Sequence, residues 1–221
     1  MNQKIKFFIL FFFIFSLLKG NSQQQNVKDT DKGASLVLKE LLVKYNAFKT
    51  IVFEFTIKVE NETKVLSSYD GTLYIKDKKY YVAFNDQIFA CDTTMIWNYQ
   101  KSSNEITIYE FEEEEDPIFH PVKMLANWED EYYAKYIDDI FENNKKMQII
   151  DLQPKKRKSY YKIRIYIDQL KKEIARVIIY EKDNTAMTYY ITKQTANTSI
   201  PDSQFVFDRT KFPNVQINDM R

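Results

Sequence analysis

Three groups of side chains in this sequence have the types that could do chemistry. His120 is the single histidine and Cys91 the single cysteine. A histidine-based metal site needs more than one imidazole or a cysteine at ligand spacing, and "FHPV" offers neither. Nucleophilic catalysis at Cys91 needs a base beside the thiol; Cys91 stands between Ala90 and Asp92, in a chain whose one histidine lies far away in sequence. Both residues read as structural. The acidic run Glu112 to Asp116 and the basic run Lys155-Lys156-Arg157-Lys158 are the third group. Consecutive like charges repel and solvate a loop or a turn, with docking of an oppositely charged partner as the alternative. No catalytic set, no metal and no cofactor is expected, and paired carboxylates are all that an enzymatic reading would have to work with.

The elements that carry these residues are mostly strands. "FEFTIKVE" alternates strictly, with Phe53, Phe55, Ile57 and Val59 on one side and Glu54, Thr56 and Lys58 on the other, the pattern of a half-buried antiparallel strand. Short segments of the same kind follow at "GTLYIKD", "KYYVAF", "QIFACD", "TMIWNY" and "EITIYEF", and close spacing makes them a meander. Before them, Leu36, Val37, Leu41, Leu42 and Tyr45 mark a helix over 34–48. From Asp116 to Tyr136 the pattern breaks into one or two short helices. "MQIIDLQP", "YYKIRIYID", "EIARVIIYE" and "AMTYYITK" resume the meander, and "SQFVFD" reads as a final short strand. The fold class is α+β and mainly β: a long curved antiparallel sheet with a helix before it and a helical insertion packed on one face.

The chain opens with Lys4 and Lys6, the apolar run "FFILFFFIFSLL", Lys19 and the small residues Gly20-Asn21-Ser22. This is the pattern of a signal peptide over 1–22, too short in its apolar part for a permanent span and followed by no lipid-accepting cysteine. Residues 23–32 then form a polar leader, and 33–221 one domain. Removing residues 1–22, which hold three lysines and no acid, takes the formal charge from +1 to −2. Neither nucleic acid nor an anionic surface is indicated as a partner. Gly71 is the only glycine after Gly33, which excludes a glycine-rich phosphate loop and leaves Asn, Asp and Lys to make the turns. Sixteen tyrosines, and strands such as "KYYVAF" that are apolar on both sides, suggest a concave face that its own side chains do not fill.

The order of "FEFTIKV", "GTLYIKDKKYYVAF", "CDTTMIWNY", "NEITIY", "PVKML", "LQP", "YKIRIYID" and "DSQFVFDRTKFPNVQINDMR" resembles the LolA-type outer-membrane lipoprotein carriers. The resemblance runs from about Ala34 to the C-terminus. It implies an unclosed half-barrel whose open side is covered by the N-terminal helix and a helical lid, with acyl chains held between. Thr93 stands where the family's Asp-Gly…Trp-x-Tyr hairpin has its glycine, and Asp77 falls where well-studied carriers have a lid-bonding arginine. Phe55, Ile57, Leu73, Ile75, Tyr81, Phe89, Trp97, Met124, Leu125, Ile163 and Ile165 are the expected acyl-chain cavity. The implied protein is a periplasmic monomer. It would take acylated lipoproteins from an inner-membrane ATP-driven lipoprotein-releasing complex to an outer-membrane acceptor. The alternative is a module that senses envelope lipid or lipoprotein with the same half-barrel.

Overall fold

The structure, a computed structural model, describes residues 29–111 and 121–221. The signal-peptide segment, most of the polar leader, the acidic run and His120 lie outside the described residues. Among the described residues, twelve strands form one unclosed sheet in the order β12-β6-β5-β4-β3-β2-β1-β11-β10-β9-β8-β7. They are β1 (Thr50–Glu60), β2 (Val65–Lys76), β3 (Lys79–Phe84), β4 (Gln87–Cys91), β5 (Met95–Gln100), β6 (Glu105–Glu110), β7 (Tyr132–Glu142), β8 (Lys145–Pro154), β9 (Tyr160–Asp168), β10 (Glu173–Glu181), β11 (Ala186–Ala196) and β12 (Gln216–Asp219). Every pairing is antiparallel except β12 on β6. Helices α1 (Lys32–Asn46), α2 (Pro121–Ala126) and α3 (Trp128–Glu131) complete the fold.

Two rows of directly paired residues define the inner face, because residues opposite one another across a ladder share a face. One runs Phe53, Leu73, Val82, Phe89, Asn98 and Thr107 from β1 to β6. The other runs Ile57, Tyr189, Val177, Ile165, Ile150 and Tyr136 from β1 across to β7. Helix α1 lies on this face with Ala34, Leu38, Leu41 and Tyr45 buried at helical spacing. Leu36, expected on that face, is 61% exposed. The end of the polar leader is tied down. Asp31 caps α1 by accepting from Ala34 N at 2.6 Å, and its other carboxylate oxygen accepts from Tyr136 N at 2.6 Å on the edge strand β7.

The structure departs from the sequence expectations at three elements. β7 occupies residues expected to end a helical insertion. A bulge between Tyr136 and Asp138 resets its alternation, so its apolar residues fall at helix-like intervals. "SQFVFD" forms a 3-10 turn over Asp202–Phe205 that buries Phe205, not a strand. The last strand is instead β12, four exposed residues with no alternation to announce them. Turns are built without glycine: among the described residues seven asparagines, Asn85, Asn104 and Asn143 included, take positive φ. Thr93 does the same at φ 81°, so the position where the resemblance expected glycine has the glycine conformation.

Candidate functional site: the covered concave face

The inner face and its helical cover form one apolar cluster. Phe55, Ile57, Leu73, Ile75, Ile163 and Ile165 enter it from the sheet, Leu125 and Trp128 from α2 and α3, and Leu38, Leu41 and Tyr45 from α1. Phe89 and Met124 pack against it half-buried. Leu125 and Ile165 have no exposed surface and Leu73 has 1%. No ligand could touch these side chains unless the helices that cover them moved away. The rim is different. Val59, Val82, Phe84, Phe89, Ile179 and Met187 are inward-facing and only half-buried, which gives the apolar face an accessible margin.

Two expected cavity residues face the other way. Tyr81 pairs with Tyr74, its ring 6.0 Å away at 68°, and with Ala90, opposite in face to Leu73. Trp97 pairs with Ala90 and Ile108 and packs with Tyr99, Ile106 and Phe207 in a second cluster on the outer face. The reason is common to both. A two-residue turn sets Lys76 opposite Lys79, so odd-numbered residues of β2 oppose even-numbered residues of β3. The aromatic residue that faces inward is Tyr80, paired with Ile75 and 3% exposed. The same switch across β4 and β5 turns Asn98 inward and Trp97 out.

Asp77, expected at the lid-locking position, lies in the β2–β3 turn at φ 54°, off the inner face. Its neighbours Lys76 and Lys79 pair with Asp202 at 2.8 and 3.2 Å, tying this turn to the C-terminal segment. What holds the cover is α1. Tyr45 donates to Gln194 Oε1 at 2.7 Å and accepts from Ile174 N at 3.2 Å, while its ring stacks on Phe53. Lys44 adds an ion pair to Glu173 at 2.9 Å.

Burial favours the neutral form of three titratable side chains of the site. Burial pushes the Tyr45 and Tyr189 hydroxyls far above the ordinary phenol value. Burial also raises the Cys91 thiol, against a weak opposing bond from Thr93 N, so the side chain is an inert part of the wall. Cys91 faces inward between Tyr80 and Ile96, and register alone would have found it. Among the described residues no cluster of three or more His, Cys, Asp or Glu side chains could hold a metal ion.

A large unclosed sheet with one apolar face under helices defines the half-barrel class of folds. Residues 46–208 match the sequence model of the family described as "Outer membrane lipoprotein carrier protein LolA", and the chain belongs to that family. The uncharacterized protein MJ0687 of Methanocaldococcus jannaschii is 23% identical over 211 residues. That match covers 94% of this chain but 58% of the relative, so the chain spans less than two thirds of its length. Among solved structures, an uncharacterized conserved protein from Thermus thermophilus has a TM-score of 0.57 at 9% identity, covering 85% of this chain and 99% of that one. A DUF1329 family protein from Desulfovibrio piger has a TM-score of 0.50 at 11% identity, with 83% and 99% covered. At these identities the two structures show the fold alone.

Proposed function

We propose that this protein carries acylated lipoproteins from the inner to the outer membrane, holding their acyl chains between the concave face and the helices that cover it. The observation that carries the reading is the single apolar cluster: nine of the eleven residues expected to contact acyl chains fall in it or against it, from both sheet halves and from α2. Membership of the lipoprotein-carrier family supports the choice of ligand. In this reading residues 1–22 direct export to the periplasm, an inner-membrane ATP-driven complex loads the protein and an outer-membrane acceptor unloads it. Among the described residues, no helix is long and apolar enough to cross a membrane.

Energetics require incomplete burial of the cargo. Three chains of about 15 methylenes, at roughly 0.8 kcal/mol each, would exceed about 30 kcal/mol, above the roughly 18–21 kcal/mol at which non-covalent affinity saturates. A half-buried rim beside a closed core suits partial burial and release. The test offers the purified protein a triacylated lipoprotein on inner-membrane vesicles with their ATP-driven extractor, then acceptor outer membranes. A soluble one-to-one complex that loses its cargo to those membranes is the expected result. Failure to form the complex, or a complex that never yields its cargo, overturns the reading.

A further inference from the structure

The inner face is apolar across most of the sheet and turns polar at one corner. Asn98 faces inward from β5, directly opposite Phe89 on one side and Thr107 on the other. Its carbonyl oxygen Oδ1 is shut away from solvent and has no hydrogen-bond partner. One step along the same two strands, Gln87 Nε2 donates to Gln100 Oε1 at 2.9 Å on the same face. Phe84 and Phe89 stack beside them, with ring centroids 6.3 Å apart at 15°.

A wall that only excluded water would carry no amide here. An unpaired buried carbonyl destabilises the fold, and replacing it by an apolar side chain of the same shape would relieve that cost. The site is easier to understand if its partner comes with the ligand. We propose that Asn98, flanked by Gln87, Gln100 and Thr107, is a subsite for the polar junction of an acylated cysteine, where an amide and two esters join the acyl chains to the peptide. This rests on the carrier reading and adds a means of choosing the cargo. A side-chain amide offers one acceptor and two donors. The N–H of an N-acylated cysteine donates to Asn98 Oδ1, and an ester carbonyl accepts from its Nδ2. A triacylglycerol presents the esters and three chains but no hydrogen-bond donor, so the corner separates lipoprotein from donor-free lipid while the rim at Phe84 and Phe89 takes the chains of either.

The test is displacement of a fluorescent fatty acid from the full-length purified protein by two competitors with three palmitoyl chains each: a synthetic N-palmitoyl, dipalmitoylglyceryl-cysteinyl peptide and tripalmitoylglycerol. Wild type should prefer the lipopeptide by about tenfold, the worth of one well-made buried hydrogen bond. In Asn98→Leu the lipopeptide should lose more affinity than tripalmitoylglycerol, which gives up only the ester contact, so that the preference vanishes while the melting temperature is no lower. Should Asn98→Leu not fold, Asn98→Ala carries the same comparison. A preference retained in the variant, or both lipids weakened equally, overturns the subsite and leaves the carrier reading standing. Binding of neither lipid by wild type overturns the carrier reading and the subsite with it.

Discussion

The ring of Phe55 lies over the α-carbon of Gly71, its cross-strand partner: a β-carbon placed on Gly71 would meet Phe55 Cε2 and Cζ at 2.6 Å and the Ala83 carbonyl oxygen at 2.9 Å. Glycine is required there by closeness, since its φ is not positive. Gly71→Ala should destabilise the protein by about 1–3 kcal/mol, the usual range for overpacking. Denaturant unfolding measures it. Trimming the ring in a Phe55→Leu, Gly71→Ala double variant should recover part of the loss, and strict additivity would show that the two residues do not interact.

Thr93 gives the opposite expectation. Its left-handed backbone is held by the Asp92 carboxylate, which accepts from Thr94 N at 2.8 Å and Met95 N at 2.9 Å. A β-branched residue is strained there, so Thr93→Gly should stabilise by about 1 kcal/mol and raise the melting temperature by roughly 2–4 °C. An unchanged or lower melting temperature would count against the strain.

Tyr45→Phe removes the hydroxyl that joins α1 to β10 and β11 and leaves the Ile174 N–H without its partner, at a cost of about 1–3 kcal/mol. The hydroxyl's folded value lies above its ordinary value of 10.0, so its contribution is full below pH 10 and is lost as pH rises beyond it. Wild type should therefore lose stability more steeply above pH 10 than Tyr45→Phe does. Tyr189, raised by burial in the same way, leaves the variant some residual alkaline sensitivity.

Cys91 is a built-in reporter of the cover's motion, being the only cysteine and fully buried on the inner face. A thiol reagent should label the native protein at least about 100-fold more slowly than the unfolded chain. Leu125→Ala, which loosens α2, should accelerate labelling without exposing the rest of the core, and equal rates in the two proteins would mean that α2 does not control access.

The face assignment has its own check. Phe89→Glu puts a charge on the half-buried inner rim and should weaken fatty-acid probe binding by about tenfold or more, the loss of a few buried methylenes. Tyr81→Glu, on the outer face, should leave binding within about twofold. The reverse order would mean that the inner and outer faces are exchanged.

What the sequence disclosed depended on how far alternation could be carried. Within β1 it placed Phe55 and Ile57 together, and within β2 Leu73 and Ile75, because period 2 is local and needs no partner. Crossing a turn needs the register: the two residues between Lys76 and Lys79 set Tyr80 opposite Ile75, one position away from Tyr81, where the family resemblance had put the inward aromatic residue. In β7 the bulge after Tyr136 defeated the count inside a strand. The helix over 34–48 and most of its inner stripe were visible, with Leu41 and Tyr45 buried and Val37 and Leu42 against the core; Leu36 stood in for Leu38, because the two look alike until the sheet beneath selects one. Asn98 gave no signal at all: an asparagine on a strand acquires meaning only when its neighbours across the ladder are known.

The centre of the sheet joins distant parts of the polypeptide, with Ile51 opposite Ala196 and Phe55 opposite Ile191. Neither flanking meander can complete the concave face until β1 and β11 meet, and β11 emerges from synthesis near the end. Loop closure on that scale is slow, and until then the chain exposes long apolar strands. A chain wired this way should complete its fold only once its last third has been made, and until β11 pairs with β1 its apolar strands are open to association with other chains.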